Sequence, residues 1–325
     1  MAVYTRIGAE AMAAIIAQFD VGGLVSAKGI AEGVSNSNWL IETEGADGKG
    51  ARFILTVYEE RTETDDLPFF LGLLDHLAAR GCPVPRTIHD ADNRAFRWHE
   101  GKALALIEFL PGVSVSEPTP AQARAVGGAL AQVHLAVADF AGHRANGMGL
   151  DAWRKLAHAC SEEGLATIHP ELGHLVEREL ATLSRRWPTD LPTSVIHADL
   201  FPDNVLMRGA EVSGLIDFYF ACNDITAYDV AVTHAAWSFD ASGSRFQPEI
   251  SRALLEGYEA VRPLSAAERA ALPLLARGAS MRFLMTRAYD WMNTPADAMV
   301  TRKDPMAFAR RLEFYADPAN AGVFA

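Results

Sequence analysis

The sequence predicts an α+β protein in two lobes: a small antiparallel β-sheet lobe over residues 1–111 and a larger, mostly helical lobe over residues 112–325. Three observations lead there. The chain has 325 residues, more than the length at which one hydrophobic core usually stops growing. Half of them are hydrophobic, enough for two cores. Segments before Pro111-Gly112 read mostly as strands, and those after it mostly as helices.

Taken in order, Met12, Ile15, Ile16 and Phe19 recur at helical spacing and predict a first helix. The stretch LVSAKGIAEGVSNSNWLIETEGADGKGARFILTVYEE reads as three strands separated by a glycine-containing turn, Gly29 to Asn38, and a polar turn, Gly45 to Gly50. The polar turn holds Lys49 but lacks GxxxxGK[ST], so it reads as a loop. An apolar helix follows from Leu67 to about Arg80, stopped by Gly81. Phe96 to Trp98 and Ala103 to Phe109 read as paired strands. Thr119-Pro120 supplies an N-cap and a first-turn proline. Val126, Leu130, Val133 and Val137 then give that helix one buried face, with His134 beside it as a core histidine. Further helices are expected over 172–184, 250–261, 266–291, kinked or broken at Pro273, and 304–315.

Charge and cysteine usage narrow the function. A net charge of −12 argues against a nucleic-acid partner and gives no support for an anionic membrane surface. Cys82, Cys160 and Cys222 are far apart and form no CxxC pair, which suits free thiols in a reducing compartment. No signal peptide or membrane-spanning run is legible, so a cytoplasmic protein is expected. Oligomeric state is not legible.

The chemistry concentrates in VIHADLFPDNVLM, residues 195–207. Val205 to Met207 and Val212 to Phe218 flank a polar turn, a hairpin signature. Asn204 starts one strand and Asp217 is expected to end the other, so antiparallel pairing brings their ends together. An amide oxygen beside a carboxylate suits Mg²⁺, a hard cation that takes a few protein oxygens plus phosphates. Asp199 precedes Asn204 by five residues, the spacing that phosphoryl-transfer enzymes use between a hydroxyl-orienting aspartate and a metal-binding asparagine.

On these residues the chain resembles the aminoglycoside-phosphotransferase and choline-kinase branch of the protein-kinase-like fold. Within it, the chain is similar to the bacterial homoserine kinases, through MAVYT, KGIAEGVSNSNW, RFILTVYEER, HADLFPDNVL, GLIDFYFACND and MRFLMTRAYDWMNTP. The Gly-Leu-Gly-Ser-Ser loop of the separate GHMP-type homoserine kinases is absent. The resemblance implies ATP and Mg²⁺ as cofactors and L-homoserine as acceptor. It implies Asp199 as catalytic base, and Asn204 and Asp217 as metal ligands. Gly33, Ser35, Asn36 and Ser37 would cover the phosphates with backbone N–H groups, and Glu108, Phe109 and Leu110 would form the adenine hinge. His197, Asp224 and Asp229 would order the loop.

The sequence departs from the fold's pattern at one place. Thr56 stands where relatives place a basic residue on the third strand, and Phe69-Phe70 stand near the expected acid. Both partners of the phosphate clamp are missing together, so no charge is left unpaired. Lys28 is the nearest replacement. On the acceptor side, Arg282 and Tyr289 share a helical face at i,i+7, and Arg282 is the candidate fork for the homoserine carboxylate. Arg287 has a surface ion pair as its alternative, and Glu32 is a candidate partner for the ammonium. Two rival functions stay open: a kinase of another hydroxylated small molecule, and a nucleotide-binding pseudokinase.

Overall fold

The computed structural model describes residues 5–30, 36–59, 64–294 and 302–324. The chain divides into two compact units, Met1–Pro111 with Phe140–Gly142, and Gly112–Asp139 with His143–Ala325.

The first unit is built on a six-stranded antiparallel sheet: β1 (Gly23–Ile30), β2 (Ser37–Glu44), β3 (Gly50–Val57), β4 (Thr87–Ile88), β5 (Arg97–His99) and β6 (Lys102–Glu108). The order is β1-β2-β3-β6-β4, with β5 also paired to β6. Alternation in β2 and β3 sends Ile41, Leu55 and Val57 into a core with Leu104 and Leu106 of β6. Helix α1 (Ala9–Ile16) covers that core with Met12, Ile15 and Ile16, and Phe19 follows it inward. Each such side chain contributes about 1.5–3 kcal/mol on burial. Helix α2 (Leu67–Ala79) buries Leu67, Phe70, Leu71, Leu73, Leu74 and Leu77. The sequence places residues 29 and 38 in the glycine-containing turn, whereas both lie in strands.

The second unit is helical around two small β-ribbons. Helix α3 (Pro120–Ala136) opens on a full capping box between Thr119 and Gln122. Helices α4 (Leu150–Cys160), α5 (Glu162–Ile168) and α6 (Leu172–Arg186) follow. Strand β7 (Thr193–Ile196) pairs antiparallel with β10 (Cys222–Ile225), and β8 (Val205–Arg208) with β9 (Glu211–Leu215). Helix α7 (Thr226–Trp237) is buried at every residue. Helices α8 (Pro248–Glu259), α9 (Ala266–Asn293) and α10 (Met306–Ala316) complete the unit.

Two expectations change here. Of the kink or break expected at Pro273, the break does not occur: helix α9 runs for 28 residues through it, with Leu272, Leu275 and Ala276 buried around it and one backbone hydrogen bond forgone. The second strand of the hairpin stops at Leu215, and Asp217 adopts a left-handed conformation with φ 65°. The carboxylate is therefore presented by a turn rather than by a strand end.

Candidate active site

Strand β7 leads into His197-Ala198-Asp199, and hydrogen bonds fix each residue of that turn. Asp229, on the first turn of α7, is fully buried. Its carboxylate accepts the His197 and Ala198 N–H groups, both at 2.7 Å. Burial alone would raise its pKa, but hydrogen bonding to His134 and the neighbouring imidazoles holds it below the ordinary aspartate value. His134, read from sequence as a core histidine, joins Asp229 at 3.1 Å and the Tyr258 hydroxyl at 2.8 Å.

Ala198 sits at φ 63°, a conformation that costs an L-residue about 1–2 kcal/mol. Its N–H is held by Asp229, and its carbonyl oxygen accepts from Arg282 Nη1 on α9. His197 Nε2 faces the Ile216 carbonyl oxygen at 3.0 Å, so it carries the proton and donates. Nδ1 is then free to accept the Asp199 N–H at 3.2 Å. Desolvation lowers the His197 pKa, in keeping with this neutral tautomer. The Trp237 indole donates to the Leu200 carbonyl oxygen at 2.9 Å.

Asp199, Asn204 and Asp217 come together around this turn. Asn204 Nδ2 donates to the Asp199 carbonyl oxygen at 2.8 Å and to its carboxylate at 3.2 Å. The Ile216 N–H donates to the Asn204 carbonyl oxygen at 3.0 Å, which sets Asp217 beside Asn204. Burial raises the half-buried Asp199 to about 7, with Arg282 opposing and Asp217 adding to the rise. Asp217 keeps an exposed edge, yet the protein around it strips enough water to raise it to about 6, aided by Asp203 and opposed by Lys303.

Two neighbouring carboxylates whose charged forms are disfavoured by desolvation favour a bound cation. With Asn204 Nδ2 committed to Asp199, its Oδ1 receives no hydrogen bond among the described residues and has lone pairs for a ligand. The described residues hold no cluster of three or more His, Cys, Asp or Glu placed to cage a metal ion. Asn204 Oδ1 and Asp217 instead form a partial oxygen set of the kind Mg²⁺ shares with phosphate oxygens and water. These residues fit that ion.

The model of the phosphotransferase enzyme family called APH matches residues 26–264. The chain belongs to this family. It is 49% identical to the homoserine kinase of Azorhizobium caulinodans over 99% of this chain and 98% of that protein. It is 49% identical to the homoserine kinase of Xanthobacter autotrophicus over 97% and 96% of the two chains. Among solved structures it resembles the amicoumacin kinase hAmiN, solved in complex with AMP-PNP, Ca²⁺ and Ami, with TM-score 0.71, 15% identity and coverage of 95% and 94%. It also resembles a microcompartment-associated aminopropanol kinase, with TM-score 0.66, 18% identity and coverage of 97% and 100%. The two-lobed, protein-kinase-like fold is thus that of its structural neighbours.

In this phosphotransferase several expected residues play other parts. Arg282 is only 2% exposed. Besides the Ala198 carbonyl, its guanidinium lies over the rings of Phe220 at 5.1 Å and Phe283 at 4.7 Å. A carboxylate in solution cannot reach a group so enclosed, so Arg282 supports the turn rather than gripping the acceptor. Tyr289, seven residues on, is 39% exposed, so the shared face does not give a shared environment.

Ser37 and Asn36 also turn inward. The Ser37 hydroxyl donates to Glu59 at 2.6 Å and accepts the Thr5 N–H, and Asn36 Oδ1 accepts the Glu59 N–H. Glu59 is held in turn by Lys102 and Thr5. Ser37 is buried and paired with Val57 inside the sheet. Glu32, Gly33 and Ser35 lie outside the described residues. Lys28 is exposed on β1. Thr56 is buried and donates to Asn38 at 2.8 Å, so no charge sits at that position. Glu108 ends β6 and pairs with Arg86 at 3.1 Å, Phe109 lies under Arg52 at 4.3 Å, and Leu110 is half-buried.

The Glu59–Lys102 pair had no legible signal, because its members are 43 residues apart. The His134–Asp229 link had a faint one: a histidine within an apolar helical stripe needs a polar partner.

Proposed function

We propose that this protein is an ATP-dependent homoserine kinase, converting L-homoserine to O-phospho-L-homoserine and ADP. The observation that carries the reading is the near-half identity, over almost the whole of both chains, to proteins named homoserine kinase. The product would serve threonine synthesis, in the cytoplasm. No helix among the described residues is long and apolar enough to cross a membrane.

In this reading Asp199 orients the acceptor hydroxyl and takes its proton as the hydroxyl oxygen bonds to the γ-phosphorus and the bond to ADP breaks. A carboxyl raised toward neutrality by burial is suited to that exchange. Asn204 Oδ1 and Asp217 would hold Mg²⁺, which when bound neutralises charge on the phosphate oxygens. Residues 1–111 would form the nucleotide-binding lobe, and 112–325 would carry the catalytic turn and acceptor site. Glu108, Phe109 and Leu110 would meet the adenine. The loop with Gly33, Ser35 and the Asn36 backbone would cover the phosphates, with Lys28 nearby.

The experiment is a substrate panel with purified protein, ATP and Mg²⁺. Homoserine should be turned over with the highest kcat/KM among homoserine, aminopropanol, choline and an aminoglycoside. No turnover of homoserine, with rapid turnover of another alcohol, would reject the assignment.

A further inference from the structure

Arg287 lies on α9, five residues beyond Arg282 and on another face of the helix. Its guanidinium packs over the ring of Phe308 at 4.5 Å. Its hydrogen bond is a long one, 3.3 Å, from Nη1 to the Asp304 carbonyl oxygen. No carboxylate of the described residues comes within ion-pair distance of it, whereas Arg262 and Arg277 in the same unit reach Glu268 and Glu179 at 2.7 and 2.6 Å. A guanidinium drawn partly out of water costs free energy unless an anion pairs with it. Desolvation lowers the Arg287 pKa, while the fields of Asp203, Asp304 and Asp199 favour its charge.

The position matters as much as the vacancy in its pairing. Phe308, under the Arg287 guanidinium, meets the ring of Phe201 at 5.9 Å, and Phe201 lies two residues after Asp199. Lys303 stands nearby, 3.4 Å from Asp203 and 5.9 Å from the ring of Phe201, in the loop that follows Asp199. A protein of net charge −12 thus places two cations beside its catalytic carboxylates. Homoserine carries its hydroxyl and its carboxylate at opposite ends of a four-carbon chain. With the hydroxyl at Asp199, the carboxylate needs a cation a short distance away.

We infer that Arg287 is the specificity residue of the acceptor site: its guanidinium fork, fixed by Phe308, binds the carboxylate of an amino-acid alcohol, with Lys303 adding charge beside it. This deepens the homoserine reading and rests on it. It also moves the carboxylate-binding role from Arg282 to the arginine five residues further along α9. A planar guanidinium binds a carboxylate through two parallel hydrogen bonds, which an ammonium cannot do.

The test compares homoserine with 3-aminopropan-1-ol, the same acceptor without its carboxylate, in the wild type, Arg287→Met and Arg287→Lys. Methionine preserves the packing against Phe308 and removes the charge. The ratio of kcat/KM for homoserine to that for 3-aminopropan-1-ol should fall by about 10- to 100-fold in Arg287→Met. The loss should lie mainly in the homoserine KM, with the ATP KM changing far less. Arg287→Lys should recover part of the ratio. A ratio equal to wild type in a folded Arg287→Met overturns the inference; if that variant fails to fold, an unchanged ratio in Arg287→Lys does so. A wild type that phosphorylates no homoserine rejects the homoserine reading itself, a separate result from an active wild type whose Arg287 variants keep their selectivity.

Discussion

Arg282 Nη1 donates to the carbonyl oxygen of Ala198, the residue directly before Asp199. Because Asp229 holds the N–H of the same residue, the left-handed Ala198 is clamped from both sides. The clamp offsets the backbone strain and sets where the Asp199 carboxylate points. Arg282→Met should therefore lower kcat by about 100-fold, the cost of a small misplacement of reacting groups, while the homoserine KM shifts little. A selective rise in that KM with kcat intact would show Arg282 holding substrate instead.

Asp229 is acceptor-only and buried, and three donors depend on it. Asp229→Asn would turn an N–H group toward at least one of them. Removing one partner from a buried charged network costs about 3–5 kcal/mol. Thermal melting should show a fall of several degrees along with reduced turnover. An unchanged Tm would mean that the turn is held by other groups.

Helices α3 and α8 meet through glycines. A Cβ on Gly127 would lie 2.0 Å from the Leu254 carbonyl oxygen, and one on Gly257 would lie 2.0 Å from that of Arg124. Neither backbone can yield cheaply, so each Gly→Ala change should destabilise by about 1–3 kcal/mol or more. The two share one interface, so the double variant should lose less than the sum. A melting series on the two single variants and the double checks this. Wild-type Tm in Gly127→Ala would contradict the close crossing.

His234 makes stability depend on pH. It is fully buried between the Tyr315 hydroxyl at 2.6 Å and Ser251 Oγ at 2.7 Å, and burial pushes it down to about 3. The unfolded imidazole titrates near 6.5, so between the two values the unfolded state binds the extra proton and stability falls as pH falls. At about pH 5 the loss from this group is about 2 kcal/mol. Asp199, raised in the fold, acts in the opposite sense below its value of about 7. Comparison with His234→Gln isolates the imidazole: the Tm advantage of wild type should shrink between about pH 7.5 and pH 5. An advantage that holds constant would contradict a neutral buried His234.

Much of this was legible in the sequence because periodicity and local spacing report it directly. The α3 cap, the apolar stripe of α1 and the HADLFPDN turn are read within a few residues. Helix α7 is buried on all sides and so shows no amphipathic period by which to set its ends. The helices expected from sequence likewise leave out α4 and α5. Arg282 illustrates the other limit. Its i,i+7 relation to Tyr289 is true of the helix, but burial decides which neighbour an arginine meets, and burial is set by distant segments. The same holds for Glu59 and Lys102, joined only once β3 and β6 have paired.

The proposed chemistry depends on Asp199 acting on the acceptor hydroxyl, which Asp199→Asn puts to the test. Phosphohomoserine formation should be measured at saturating ATP, Mg²⁺ and homoserine, alongside nucleotide binding and Tm. The variant should fold and bind nucleotide with kcat reduced by about 10²- to 10⁴-fold, the contribution of a positioned base. A kcat within about threefold of wild type, far below what a positioned base contributes, would remove Asp199 from the chemistry and contradict the proposed mechanism.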